Sequence, residues 1–262
     1  MLQPLVGRTI QKALVLHKPT VSGSAEKLER LRARKIERIH RRGKYIRFDL
    51  AGGQGLLIHL RMTGWLGELS ADEKRPRIDP YIRVRMPLDD GRQHLVFSDI
   101  RTFGRVWYGA REALDAHRSM QALGPEPLEI TVDDFTRRLK SHRGRVKPLL
   151  LNQSFLAGVG NIYADESLFA AGIHPLADAS RLGAARAAQL HAAIQAVLNA
   201  SIAAGGSSVE NFLRPDGESG WYQRELRIYG RAGTPCTRCG GIVKRIVVGQ
   251  RGTWFCGSCQ KR

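Results

Sequence analysis

The four cysteines of this chain form two CxxC pairs, Cys236 with Cys239 and Cys256 with Cys259, sixteen residues apart. Each pair suits a tight knuckle whose backbone amides stabilise thiolates, and two knuckles close a tetrahedral site for one Zn2+. Four thiolates leave no open coordination position, so such a zinc is structural and activates no water. A disulfide framework would need an oxidising compartment, and thioredoxin-like chemistry uses one CxxC in another context. Between the pairs, residues 242–248 and 253–255 read as the arms of a hairpin, with 249–252 as its tip. Arg251 is expected at that tip, facing away from the metal. It is either a solvated turn residue or, in so basic a module, a side chain for a DNA groove.

A second pattern with chemical potential is Gly158-Val159-Gly160-Asn161, which separates two short helical segments. Glycines let the backbone approach a ligand closely, and a helix N-terminus offers free N–H groups. Asn161 reads as the cap of the second helix, able also to touch a phosphate; plain capping is the simpler account of this residue alone. The setting is strongly cationic. Lys and Arg total 42 against 24 Asp and Glu, a net charge of +18. Residues 27–47 hold ten Lys/Arg against two Glu, 137–147 form another dense basic stretch, and from Trp221 onward nine Lys/Arg face one acid, Glu225. Such an excess attracts a polyanion through phosphate contacts and counterion release, and far exceeds what solubility needs. No apolar run is long enough to span a bilayer, and no basic amphipathic helix with an aromatic face suggests membrane docking. Arg8, Lys12 and Lys18 interrupt any apolar signal core near the start, so a cytoplasmic location is expected.

The elements that must position these groups change character along the chain. Residues 10–17, 45–50, 56–60, 82–86, 94–97 and 105–108 read as short strands, with turn chemistry at 51–53 and 89–91. A proline-punctuated connector, LGPEPL at 123–128, follows. Helical periodicity then covers 133–142, 146–151, 162–171 and 184–203, the last rich in Ala and Leu. A Gly/Ser-rich polar stretch from 205 to 220 reads as a mobile loop. The fold class is therefore α+β. Its expected parts are a β-rich domain over 1–115, a helical domain with its loop over 116–220, and the cysteine module over 221–262.

The run LLLNQSFLAGVGNIYADESLFAAGIHP at 149–175 closely resembles the helix–two-turn–helix motif of the formamidopyrimidine-DNA glycosylase family. The resemblance extends, in order, through RRGKY, HLRMTGWLG, FSDIRTFGR, LGPEPL, the GGSS stretch and YQRELRIYGRAGTPC to the cysteines. It implies an N-terminal β-sandwich joined to a helical domain bearing a zinc finger, working as a monomer on damaged double-stranded DNA near the nucleoid. It implies excision of oxidised purines (8-oxoguanine and formamidopyrimidines), followed by β,δ-elimination at the abasic site. By position, Met62, Arg101 and Phe103 look like the residues that fill the gap left by an everted nucleotide. A thioether and an aromatic ring stack where a base was, and Arg bonds the orphaned partner. Without that context Met62 and Phe103 would read as core and Arg101 as a surface ion pair. Lys44, Lys147, Asn161 and Arg251 match the family's phosphate contacts, and residues 207–222 match its loop over the extruded purine. Asp79-Pro80-Tyr81 departs from the family, many members of which carry histidines there, at the place of one phosphate contact.

The family's nucleophile is the secondary amine of an N-terminal proline, followed by a proton-shuttling glutamate. Here the chain opens Met1-Leu2-Gln3-Pro4-Leu5-Val6-Gly7, which aligns about a dozen residues into the family pattern, so that Pro-Glu opening is expected to be missing. Pro4 carries a tertiary amide nitrogen and cannot replace it. Lys44 is the remaining candidate amine, although a lysine needs burial to lose its proton. Two alternatives accompany the glycosylase reading. One is a non-catalytic binder of lesions or abasic sites. The other is a zinc-ribbon RNA or transcription factor, which leaves HLRMTGWLG and FSDIRTFGR without a purpose.

Overall fold

A computed structural model describes residues 2–209 and 212–262. The chain folds as two compact units. One comprises Met1–Gln121 with Gly205–Gly220, the other Ala122–Ala204 with Trp221–Arg262. Gly205–Gly220 groups with the sheet, and the cysteine module groups with the helices.

In the first unit nine strands share one hydrogen-bonded network: β1 (Thr9–Lys12), β2 (Leu14–Val15), β3 (Arg32–Arg42), β4 (Tyr45–Leu50), β5 (Gln54–His59), β6 (Gly64–Ser70), β7 (Ile82–Leu88), β8 (Gln93–Asp99) and β9 (Arg105–Ala110). Their order is β6-β8-β7-β1-β3-β4-β5-β9, with β2 paired to β7. β3 is the pivot. Its first residues pair with β1, its last with β4, and the register slips between Ile36 and Arg38. Ile36 and Ile39 share one core with Phe48, Leu56 and Ile58 from one side and Leu66, Val84, Met86 and Phe97 from the other. The network therefore doubles back on itself, and the two layers expected of a sandwich come from one continuous path. β3 lay hidden in the basic stretch 27–47, because nearly every outward position there is Lys or Arg. β6 was also unforeseen, since buried Trp65, Leu66 and Gly67 break the two-residue alternation. Short helices α1 (Ala25–Glu29), α2 (Arg111–Asp115) and α3 (Arg118–Gln121) complete this unit.

The topology sets the positions of two loops. β5 and β9 are neighbours with His59 opposite Arg105, and β6 and β8 are neighbours with Gly64 opposite Asp99. The β5–β6 and β8–β9 connections leave and enter the sheet at these paired positions, so loops 60–63 and 100–104 run side by side.

The described part of 205–220 is tied to this sheet rather than free. Trp65 Nε1 donates to the Arg214 carbonyl at 2.7 Å, and Arg75 Nη1 donates to that of Asp216 at 2.7 Å. A Cβ on Gly67 would meet the Pro215 carbonyl oxygen at 2.1 Å, so only glycine admits this approach. Glu210 and Asn211, within the stretch read as a lesion loop, lie outside the described residues.

The second unit contains α4 (Val132–Lys140), α5 (Val146–Leu151), α6 (Asn161–Ala170), α7 (Ala184–Ala203) and the hairpin β10 (Lys244–Val248) and β11 (Arg251–Phe255). Thr131 caps α4 by accepting from the Asp134 amide. Leu150, Phe155, Val159, Leu168, Leu190 and Ile194 form its core. Between α5 and α6, Gln153 stitches the turns. It accepts from the Gly158 amide at 2.9 Å and donates to the Leu151 and Val159 carbonyls.

Candidate nucleic-acid interface and metal centre

The four cysteine sulfurs lie within 4.8 Å of one another. Cys236 and Cys259 are 3.8 Å apart and Cys239 and Cys256 3.5 Å, too far for disulfides. A tetrahedron with Zn–S near 2.3 Å has sulfur–sulfur edges of about 3.8 Å, so the donor set fits one zinc. The Arg238 amide donates to Cys236 Sγ at 3.4 Å, the knuckle geometry foreseen from the spacing. Buried Gln260 accepts from the Cys256 amide at 2.8 Å and donates to the Ile173 carbonyl at 2.9 Å, joining the second knuckle to the helices.

The hairpin held by this clip turns through two residues, Gly249 and Gln250, both with positive φ (55° and 61°), which suits the twist of the flanking strands. Arg251 is thus the exposed first residue of β11, paired with Val248, rather than part of the tip.

Lys147, expected by resemblance to contact a phosphate, is fully buried. Its ammonium pairs with Asp165 Oδ1 at 2.7 Å and donates to the Gly252 carbonyl at 3.0 Å and Thr253 Oγ1 at 2.8 Å. Burial pulls Lys147 below the ordinary lysine value and pushes Asp165 up to about 6, each opposed by the other's charge. Asn161 is likewise not a cap. It is the first residue of α6, behind Gly160, and its Nδ2 donates to the same Gly252 carbonyl at 3.1 Å. Lys147 and Asn161 therefore meet at the Gly252 carbonyl, beside Arg251 at the start of β11.

Two acids that sequence reasoning passed over complete the attachment. Asp165 Oδ2 accepts from the Trp254 amide at 3.1 Å. Glu166, 3% exposed, accepts from the backbone amides of Arg227, Ile228 and Tyr229 at 2.8–3.0 Å. The signal was present: two adjacent acids in a helix with no base of its own.

In the first unit, Met62 and Phe103 are 57% and 48% exposed, against the burial of most large apolar side chains. Arg101 lies between them, its Nη1 3.5 Å from Met62 Sδ and its guanidinium 4.8 Å from the Phe103 ring centre. The three form one surface patch on loops 60–63 and 100–104. Beneath it, the Arg61 amide donates to His59 Nδ1 at 3.0 Å. Burial, with the charges of Arg61 and Lys44, lowers His59 to about 4. Lys44 stands exposed on the turn between β3 and β4. Asp79 accepts from the Arg75 amide at 2.9 Å at the start of a short 3-10 turn.

Three protein-family patterns match the chain. They are the formamidopyrimidine-DNA glycosylase N-terminal domain over residues 1–106, the formamidopyrimidine-DNA glycosylase H2TH domain over 123–212, and the zinc finger found in FPG and IleRS over 233–262. A formamidopyrimidine-DNA glycosylase of Solibacter usitatus is 43% identical over 263 residues, covering 100% of this chain and 95% of that protein. The solved complex between the Lactococcus lactis Fpg and an abasic site containing DNA superposes with a TM-score of 0.90 at 32% identity. It covers 99% of this chain and 95% of that one. A structure of MutM with carbocyclic 8-oxo-G containing DNA does so with a TM-score of 0.89, at the same identity and coverage.

Proposed function

The chain belongs to the formamidopyrimidine-DNA glycosylase family, and from that premise we propose that it recognises oxidised purines in duplex DNA and excises them, with lyase activity at the resulting abasic site. The carrying observation is the exposed patch of Met62, Arg101 and Phe103. Exposed apolar side chains on rigid loops of a chain bearing +18 are costly in water, and find use as a wedge in a base stack. In this reading Met62 and Phe103 occupy the space of an everted nucleotide, and Arg101 bonds the orphaned base. Lys44, Asn161 and Arg251 contact phosphates, while Lys147 supports the start of β11 through the Gly252 carbonyl. The zinc holds the ribbon hairpin in shape and takes no part in chemistry. We place the protein on nucleoid DNA as a monomer; no helix among the described residues is long and apolar enough to cross a membrane.

Glycosylase–lyase chemistry of this type needs an unprotonated amine to attack C1′ and carry the sugar as an iminium. The Pro4 nitrogen lies in the Gln3–Pro4 peptide bond and has no reactive lone pair. Lys44 is exposed on the turn between β3 and β4. A second reading is a binder of lesions and abasic sites that does not cut. Borohydride trapping on a duplex containing 8-oxoguanine separates the two. A covalent protein–DNA adduct supports the enzyme, and tight binding with no adduct supports the binder.

A further inference from the structure

Asp99 ends β8 and is 1% exposed. Its two oxygens divide between the paired loops. Oδ1 accepts the hydroxyl of Thr63, the last residue of loop 60–63, and lies 3.3 Å from the Arg101 amide. That amide also donates to Thr63 Oγ1 at 3.1 Å. Oδ2 accepts from the Gly104 amide at 2.7 Å, at the end of loop 100–104. One carboxylate thus fixes the base of both loops that carry the exposed patch.

The loops need such a fixture. Arg61 and Thr102, one in each loop, sit at φ values of 57° and 58°. Left-handed backbone at non-glycine residues costs free energy and persists only where the surroundings over-determine it. Gly104 admits no side chain, because a Cβ there would stand 2.5 Å from Phe97 Cζ and 3.0 Å from Asp99 Oδ2. The carboxylate, three donors and a crowded glycine leave one arrangement, with Met62, Arg101 and Phe103 held together above it.

We infer that Asp99, with Thr63 as its relay, is the positioning residue that presets the two-loop wedge before DNA arrives. This assignment rests on the wedge reading of Met62, Arg101 and Phe103. A preset wedge adds nothing to binding of intact duplex, which has no gap to fill. It strengthens binding where a nucleotide is missing, because the ordering cost is met in the free protein.

The test compares an intact duplex with one carrying a tetrahydrofuran abasic analogue opposite 2-aminopurine, whose fluorescence reports stacking beside the gap. Asp99→Asn sets an amide NH2 against either the Gly104 N–H or the Arg101 N–H, so one loop loses an acceptor whichever way the amide turns. Asp99→Asn is expected to reduce the preference for the abasic duplex about tenfold or more, and Thr63→Val about threefold. Affinity for intact duplex should stay within about twofold in both. The 2-aminopurine signal should shrink in parallel, and Thr63→Ser, which keeps the hydroxyl, should restore both readouts. If Asp99→Asn does not fold, the Thr63→Val and Thr63→Ser pair decides. Unchanged preference in Thr63→Val, or equal losses for both duplexes, overturns the role of Asp99. A wild-type protein indifferent to the abasic analogue removes instead the wedge reading on which it stands.

Discussion

His59 accepts the Arg61 amide hydrogen through Nδ1, which fixes its neutral ring as the Nε2–H tautomer. A proton on Nδ1 would set two donors against each other and release the turn beneath Met62. With a folded value near 4 against an ordinary 6.5, His59 binds its proton later in the fold than in the unfolded chain. Its stabilisation is complete above pH 6.5 and is lost as pH falls toward 4. Urea melts at about pH 7 and about pH 5 should show wild type losing stability on acidification, and His59→Gln losing less. Parallel losses would remove His59 from the account. At the same scale, Phe103→Ala should lower preference for an abasic duplex about tenfold in competition titrations while sparing intact DNA. Some of this was legible from residue types and spacing. The cysteine pairs fixed the metal because zinc geometry constrains sequence separation, and HLRMTGWLG with FSDIRTFGR marked the patch. Asp99, Thr63 and His59 were not, since their partners lie in other loops or on backbone atoms that a sequence does not display.

Among the elements, α6 and the β10–β11 hairpin depend on each other through buried charge. Removing the Lys147 ammonium leaves Asp165 in a site that already disfavours its charge. Lys147→Met should cost about 3–5 kcal/mol at about pH 7 in chemical denaturation. The deficit should shrink by about pH 5. A carboxyl whose folded value is raised holds its proton in the fold but not in the unfolded chain, so its stability penalty grows as pH rises through that value. A pH-independent deficit would point to lost packing alone. Helices α4 to α7 were readable because apolar periodicity and breakers bracket them, and the hairpin because the metal knuckles frame it. Strand β3 was not, since burial alternates beneath a solvent face made of arginine and lysine. Arg251 moved from the expected tip into β11 because Gly249 and Gln250 alone make the turn.

Across the whole molecule, +18 supplies attraction to any duplex, and local geometry supplies discrimination. Stripping zinc with a chelator should unfold the ribbon, since a four-thiolate site contributes its binding energy to folding. Duplex affinity should fall at least about tenfold as Arg251 loses its support, while circular dichroism retains the strand signal of the nine-stranded sheet. Full affinity after verified metal loss would contradict that dependence. The α+β class and the three family blocks were plain in the sequence. The grouping of 205–220 with the sheet was not, because it rests on Trp65 and Gly67 meeting a segment about 150 residues away. The central claim is that this cationic chain singles out duplex with a nucleotide swung out or missing. Its most direct test is equilibrium competition, at about 0.15 M salt, among duplexes bearing an abasic analogue, 8-oxoguanine opposite cytosine, and no lesion. The account predicts the order abasic, then 8-oxoguanine, then intact, with about a hundredfold or more between first and last. Equal affinity for all three, falling together as salt rises, would contradict it.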